Sequence, residues 1–227
     1  MKERNIEKVK ADTVEWSYRQ NLPSAYRKFA LRQLDKAMDD RWELFAYVDE
    51  NSHAGVMAYF HEETMEYKLR LKRGLIEYCD TNFISGDLKS FTEQLAAHLF
   101  TVLDNLAEFK PESVHFLLAR QGILTWEYGR NLPEKKVGFT LVTRPTEPYL
   151  LSNGSYVVLD YTDFDISSNF NIYYNIFRGE YFGESRINMV PEVTYDFDVK
   201  DLTELEQKLA ERLENKLEKI RIGAQKN

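Results

Sequence analysis

Residues 66–74, EYKLRLKRG, decide the class of this fold. Tyr67, Leu69 and Leu71 alternate with Lys68, Arg70 and Lys72. A period of two belongs to a strand with one buried and one polar face. Upstream, RWELFAYVDE (41–50) and AGVMAYFHEE (54–63) read as two more strands, and downstream GLIEYCDTNFI (74–84) reads as a fourth, bent near Gly74. The period then changes. In SGDLKSFTEQLAAHLFTVLDNLAEF (85–109), Leu88, Phe91, Leu95, Leu99, Val102, Leu103 and Leu106 fall on one helical stripe.

The segments ahead of these strands read as helices. Residues 2–20 place Ile6, Val9, Thr13 and Trp16 on one stripe, and residues 23–38 place Tyr26, Phe29, Ala30, Leu34, Ala37 and Met38 on another. In the second half, residues 113–133 read as two strands around Gln121-Gly122, and residues 137–150 as a strand that runs out at Pro145 and Pro148. SYVVLDY (155–161), NFNIYYNIFRGE (169–180), YFGESRINMVP (181–191) and EVTYDFDV (192–199) follow as four strands rich in Tyr, Phe, Val and Ile. Leu202, Leu205, Leu209, Leu213, Leu217 and Ile220 make the stripe of a closing helix.

The expected class is α+β, antiparallel sheets covered by long amphipathic helices, in two lobes over residues 1–110 and 111–227. A shift of 114 positions lays Glu66-Tyr67 on Glu180-Tyr181, Phe83 on Phe197, Asp87-Leu88 on Asp201-Leu202 and Leu95-Ala96 on Leu209-Ala210. At a nearby offset, YRQNLP from Tyr18 echoes YGRNLP from Tyr128. The halves therefore read as possible duplicates, against a single α+β protein with two similar layers. A lobe of helix, antiparallel strands and helix resembles the chaperone-like domains that bind protein segments, secretion chaperones among them. That resemblance rests on element order and implies a protein-binding role.

Charge and composition narrow the function classes. A net charge of −7 opposes broad nucleic-acid binding, which rests on phosphate neutralisation by Lys and Arg. No apolar run approaches the roughly 18 residues of a membrane span, and MKERNIEKVK leads into no apolar signal region. The single cysteine, Cys79, excludes a disulfide within the chain. These features predict a cytoplasmic, bacterial-type protein, with Asn153-Gly154-Ser155 acting as a turn rather than a glycosylation site.

Three sets of residues are candidates for chemistry. Asp160, Asp163 and Asp165 lie close together, with Asp196 and Asp198 as a second pair. Hard cations need several such oxygens, so an Mg²⁺-dependent enzyme on nucleotides or nucleotide-sugars is one reading. The plain reading is that Asp163 and Asp165 form a turn while Asp196 and Asp198 precede a helix. Lys68, Arg70, Lys72 and Arg73 form a basic strand face, suited to an anion, RNA or an acidic partner, or simply to solvent as a polar sheet face. Arg178 and Arg186 flank a Gly-rich segment that reads first as a twisted hairpin with internal ion pairs, a pocket for an acidic ligand or peptide being the other reading. His53, His61, His98 and His115 show no metal spacing, and no phosphate loop or nucleophile elbow is present. The resulting expectation is a non-enzymatic protein-binding or adaptor protein without a cofactor, the Mg²⁺ enzyme being the alternative.

Overall fold

The computed structural model describes residues 2–225. The chain divides into two compact units, Met1–Phe109 and Lys110–Asn227. Each unit carries an antiparallel sheet and closes on a long helix, so the α+β class holds.

In the first unit, helices α1 (Glu3–Thr13) and α2 (Ser17–Gln20) precede β1 (Ala25–Tyr26), β2 (Phe29–Met38), β3 (Arg41–Asp49), β4 (Ala54–His61), β5 (Glu66–Arg73) and β6 (Ile76–Cys79), and α3 (Leu88–Ala107) follows. The six strands pair in chain order, each with the next. Tyr67, Leu69 and Leu71 turn inward, as their alternation requires, and join Tyr47, Val56, Phe91, Leu95, Leu99 and Leu103 in one core. Asp87 caps α3 by accepting the Ser90 N–H at 2.9 Å.

In the second unit, α4 (Phe116–Arg120) and α5 (Glu127–Arg130) precede β7 (Lys135–Lys136), β8 (Phe139–Thr143), β9 (Tyr149–Leu150), β10 (Ser155–Asp163), β11 (Ser168–Asn175), β12 (Glu180–Ile187) and β13 (Val190–Val199), before α6 (Leu202–Ala224). The sheet runs β13-β12-β11-β10-β8-β7, with β9 also on β10. α6 packs across β11, β12 and β13 through Leu205, Leu209, Leu213 and Leu217. Asp201 caps it by accepting the Glu204 N–H at 3.0 Å.

Three segments depart from the sequence reading. Residues 23–38 are not a helix. Phe29 is the one buried residue of β2, so side chains specify this strand weakly and pairing with β3 overrides its helical stripe. A bulge between Gln33 and Lys36, with Asp35 at positive φ, absorbs the residues that broke the alternation. Residues 113–133 are helical turns instead of two strands. The His115 side chain accepts the Leu117 N–H to start α4, and Gly122 at φ 82° ends it. The first helix stops at Thr13 and restarts at Ser17 because Trp16 takes extended backbone and inserts its ring beside Phe45 and Phe91. Among the described residues, no helix is long and apolar enough to cross a membrane.

Candidate functional site

The strand register of the first sheet builds a cleft on the face away from α3. Two rows cross that face: Arg32, Ala46, Met57 and Arg70 lie side by side on β2 to β5, and Val48, Gly55, Lys72 and Glu77 on β3 to β6. Ala46 and Gly55 are small residues in the middle of rows that end in long side chains. The result is a cleft of about 330 Å³ with an apolar floor. The floor is Ala46, Val48, Gly55 and Met57; Arg32, Arg70 and Lys72 stand around it with Glu50 and Glu77. Gly55 has to be glycine, since a Cβ there would penetrate the carbonyl oxygen of Tyr47 on β3.

The cations of the rim are held in place. The Arg70 guanidinium lies 5.1 Å from the centre of the Tyr59 ring and donates to Glu77 Oε2 at 3.0 Å. Tyr59 is anchored in turn by its hydroxyl, 2.9 Å from Cys79 Sγ, and burial pushes that hydroxyl's pKa up to about 12. Lys72 reaches the same carboxylate at 3.9 Å, and Arg32 pairs with Glu50. Three cations against two carboxylates leave the rim with a net positive charge. Arg70, held over the Tyr59 ring and by a single bond to Glu77, is set up to receive a carboxylate with little loss of entropy.

The basic strand face therefore splits. Arg70 and Lys72 serve the cleft. Lys68 pairs with Glu66 at 3.0 Å, and Arg73 donates to the Asn105 carbonyl at 3.0 Å, at the end of α3. Arg32, Ala46, Gly55 and Met57 complete the cleft from strands the sequence reading did not connect; only the register of β2, β3 and β4 brings them together.

The aspartates do not assemble. Asp163 Oδ1 accepts the Asp165 N–H at 3.1 Å in the β10–β11 turn, and Asp165 is exposed there. Asp196 and Asp198 are exposed on β13, where Asp196 lies 3.8 Å from Arg212. Burial and then the neighbouring Glu180 raise the Asp198 carboxyl above its ordinary range. Asp160 stands apart from all four. It is fully buried on β10, and burial pushes its pKa up to about 7. Its Oδ1 accepts the Thr162 hydroxyl at 2.8 Å and the Asn169 amide at 3.4 Å. Among the described residues, no three His, Cys, Asp or Glu side chains lie close enough to hold a metal ion. Arg178 and Arg186 are likewise separate: Arg178 pairs with Glu180 beside the turn at Gly179, and Arg186 lies 3.3 Å from Glu184 near the other end of β12.

Asn169 and Asn171 escaped the sequence reading. Their signal was visible, since Asn169, Asn171 and Asn175 at odd positions of the aromatic strand NFNIYYN put three amides on one face, with Phe170, Ile172 and Tyr174 on the other. Searches against protein-family models, curated proteins and solved structures find no match to this chain.

Proposed function

We propose that this is a non-enzymatic, cytoplasmic binding or adaptor protein, chaperone-like in build, whose first lobe captures a protein segment carrying a carboxylate next to a short apolar side chain. The observation that carries this reading is the cleft: an apolar floor of Ala46, Val48 and Met57 next to a guanidinium already fixed by Tyr59 and Glu77. An apolar floor with a few placed polar groups is the ordinary make-up of a ligand site. A lone nucleophile or base without partners, by contrast, gives no route to turnover.

The same reading takes the two lobes as copies of one unit. Matched interactions support it. The Trp16 indole donates to Thr92 Oγ1 at 2.8 Å, and 114 positions on from Thr92 the Trp126 indole donates to Glu206 Oε2 at 2.9 Å. Asp49 accepts the Asn51 N–H at 3.1 Å, and Asp163 accepts the Asp165 N–H at 3.1 Å. A shared motif of Trp-x-Tyr-x-x-Asn-Leu-Pro begins at Trp16 and at Trp126. One unit, copied, gives two sheet faces free to diverge in what they bind.

The test uses a fluorescein-labelled peptide of alternating Leu and Glu and its Leu/Gln counterpart, followed by fluorescence anisotropy. The acidic peptide is expected to bind, to weaken with salt, and to lose about tenfold or more in affinity with Arg70→Glu/Lys72→Glu, a loss of at least one charge-assisted contact. Equal binding by the Gln peptide, or by the double variant with an unchanged circular-dichroism spectrum, would rule the site out. Turnover of any substrate that disappears on changing one polar side chain would rule out the non-enzymatic assignment.

A further inference from the structure

The Trp-x-Tyr motif of the second unit borders a cavity of about 520 Å³ against the first turns of α6. Trp126 is buried and forms the inner wall. Tyr128, Leu202 and Glu206 are half-buried around it, and Thr203 and Gln207 are exposed at the mouth. A ligand therefore reaches this site from solvent. The Trp126 and Tyr128 rings stand 5.5 Å apart, inclined by 36°.

Glu206 supplies the charge of the cavity. Its Oε2 accepts the Trp126 indole N–H at 2.9 Å, which fixes the carboxylate beside the aromatic pair. Among the described residues, Glu206 pairs with no Lys, Arg or His, and no basic side chain lines the cavity. The carboxylate is felt by Tyr128, whose hydroxyl pKa is raised by burial first and by Glu206 second. The partial positive charge at the start of α6 is offset by Asp201, which caps it.

Holding the indole does not require a charge. In the first unit Trp16 donates to the neutral Thr92 at 2.8 Å, and a shift of 114 lays Thr92 on Glu206. The same shift lays Lys89 on Thr203. Relative to the first unit, the second has a carboxylate in place of a hydroxyl and a threonine in place of a lysine. Both differences favour a positive charge brought from outside.

The lining selects the ligand. An anion is repelled by Glu206, and a neutral molecule leaves that half-buried carboxylate without a counter-charge. A small metal ion takes several oxygen ligands, and the cavity offers one carboxylate between aromatic rings. An organic ammonium gains from both parts of the wall: the carboxylate pairs with its charge, and the negative ring faces attract it. Its alkyl groups cover Leu202 and the rings.

We propose that the cavity bounded by Trp126, Tyr128 and Glu206 binds an organic ammonium cation. The site belongs to the second unit alone and does not rest on the reading of the cleft in the first. Saturation-transfer NMR on the full chain tests it with choline, with the amide of Nα-acetyllysine, and with the uncharged alcohol in which carbon replaces the choline nitrogen. At least one of the two cations is expected to bind, more weakly as salt rises, and the alcohol at least about tenfold more weakly than choline. Tighter binding of choline assigns a free small cation; tighter binding of the lysine amide assigns a side chain of another protein. Glu206→Gln keeps an acceptor for the indole and is expected to weaken the cation about tenfold. Thr203→Lys places the first unit's lysine at the exposed mouth, where it leaves the core untouched, and is expected to weaken the cation as well. Failure of both cations to bind the native chain overturns the proposal. So does an alcohol that binds as tightly as choline, or a Glu206→Gln chain with an unchanged circular-dichroism spectrum that binds the cation as tightly as the native one.

Discussion

The Tyr47 hydroxyl donates to the Pro23 carbonyl at 2.7 Å, tying the centre of β3 to the chain entering β1. Tyr161 repeats the bond, donating to the Pro133 carbonyl at 2.6 Å. Each tyrosine is fully buried, and burial pushes both hydroxyls up to about 12. In each unit a residue of the sheet thereby fixes the proline that ends the Trp-x-Tyr motif.

Tyr47→Phe removes this bond and leaves the ring in place. Pro23 is exposed, so water replaces the lost donor and the expected cost is only about 1 kcal/mol. Tyr161→Phe should cost a similar amount. Because the two bonds lie in different units and share no partner, the double variant should lose the sum within about 0.5 kcal/mol. Thermal melting of the three variants checks both claims, and a double variant no less stable than either single one would show that the bonds are not independent.

Two glycines of the first unit should respond in opposite ways. Gly55→Ala drives a Cβ into the Tyr47 carbonyl, and since backbone cannot yield as a side-chain tip can, β3 and β4 must separate there. A loss of about 2–3 kcal/mol is expected, together with loss of the cleft floor. Gly86→Ala meets nothing within 4 Å and is not at positive φ. It should be neutral or stabilising by about 0.5 kcal/mol, because alanine restricts the unfolded chain. Equal melting temperatures for the two variants would refute the assignment of Gly55 as a position of backbone contact.

What could be read in the sequence followed the burial of each element. β5 and the leucine stripes of α3 and α6 have one wet and one dry face, so period alone identified them. β2 buries only Phe29 and owes its form to the backbone of β3, which leaves no side-chain period to detect. The short run Phe116–Leu118 fits a strand or a helical turn equally, and the deciding groups, the His115 cap and the positive φ of Gly122, act locally. Arg70 and Lys72 were visible as one polar strand face. The cleft they border was not, because Arg32, Ala46 and Gly55 join it through the register of three strands.

The cap of α6 carries a further expectation. Asp201 accepts the Glu204 N–H at 3.0 Å at the start of a helix whose leucines close the second core. Asp201→Ala leaves that N–H without its acceptor and removes a negative charge from the helix N-terminus. A loss of about 1 kcal/mol is expected, with Asp201→Asn recovering most of it, since asparagine caps as well as aspartate. Chemical denaturation of the pair decides the point. If both substitutions cost the same, the charge and not the hydrogen bond is what matters.

Asp160 gives the chain a pH dependence whose sign follows from its burial. The carboxyl moves from its ordinary 3.8 to about 7 because no water reaches it, and the bonds from Thr162 and Asn169 offset only part of that. Between those two values the folded chain keeps a proton that the unfolded chain has released. Folding then takes up a proton, so this group's contribution to stability falls as pH rises through the window and levels off above about 7. Each pH unit inside it is worth about 1.4 kcal/mol. Asp160→Asn keeps the shape and the acceptor for Thr162 but cannot ionise. Melting curves of native and Asp160→Asn protein should therefore lie close together near pH 4 and diverge toward pH 8, with the variant the more stable at the alkaline end. A constant separation across that range would mean that Asp160 does not change its charge there.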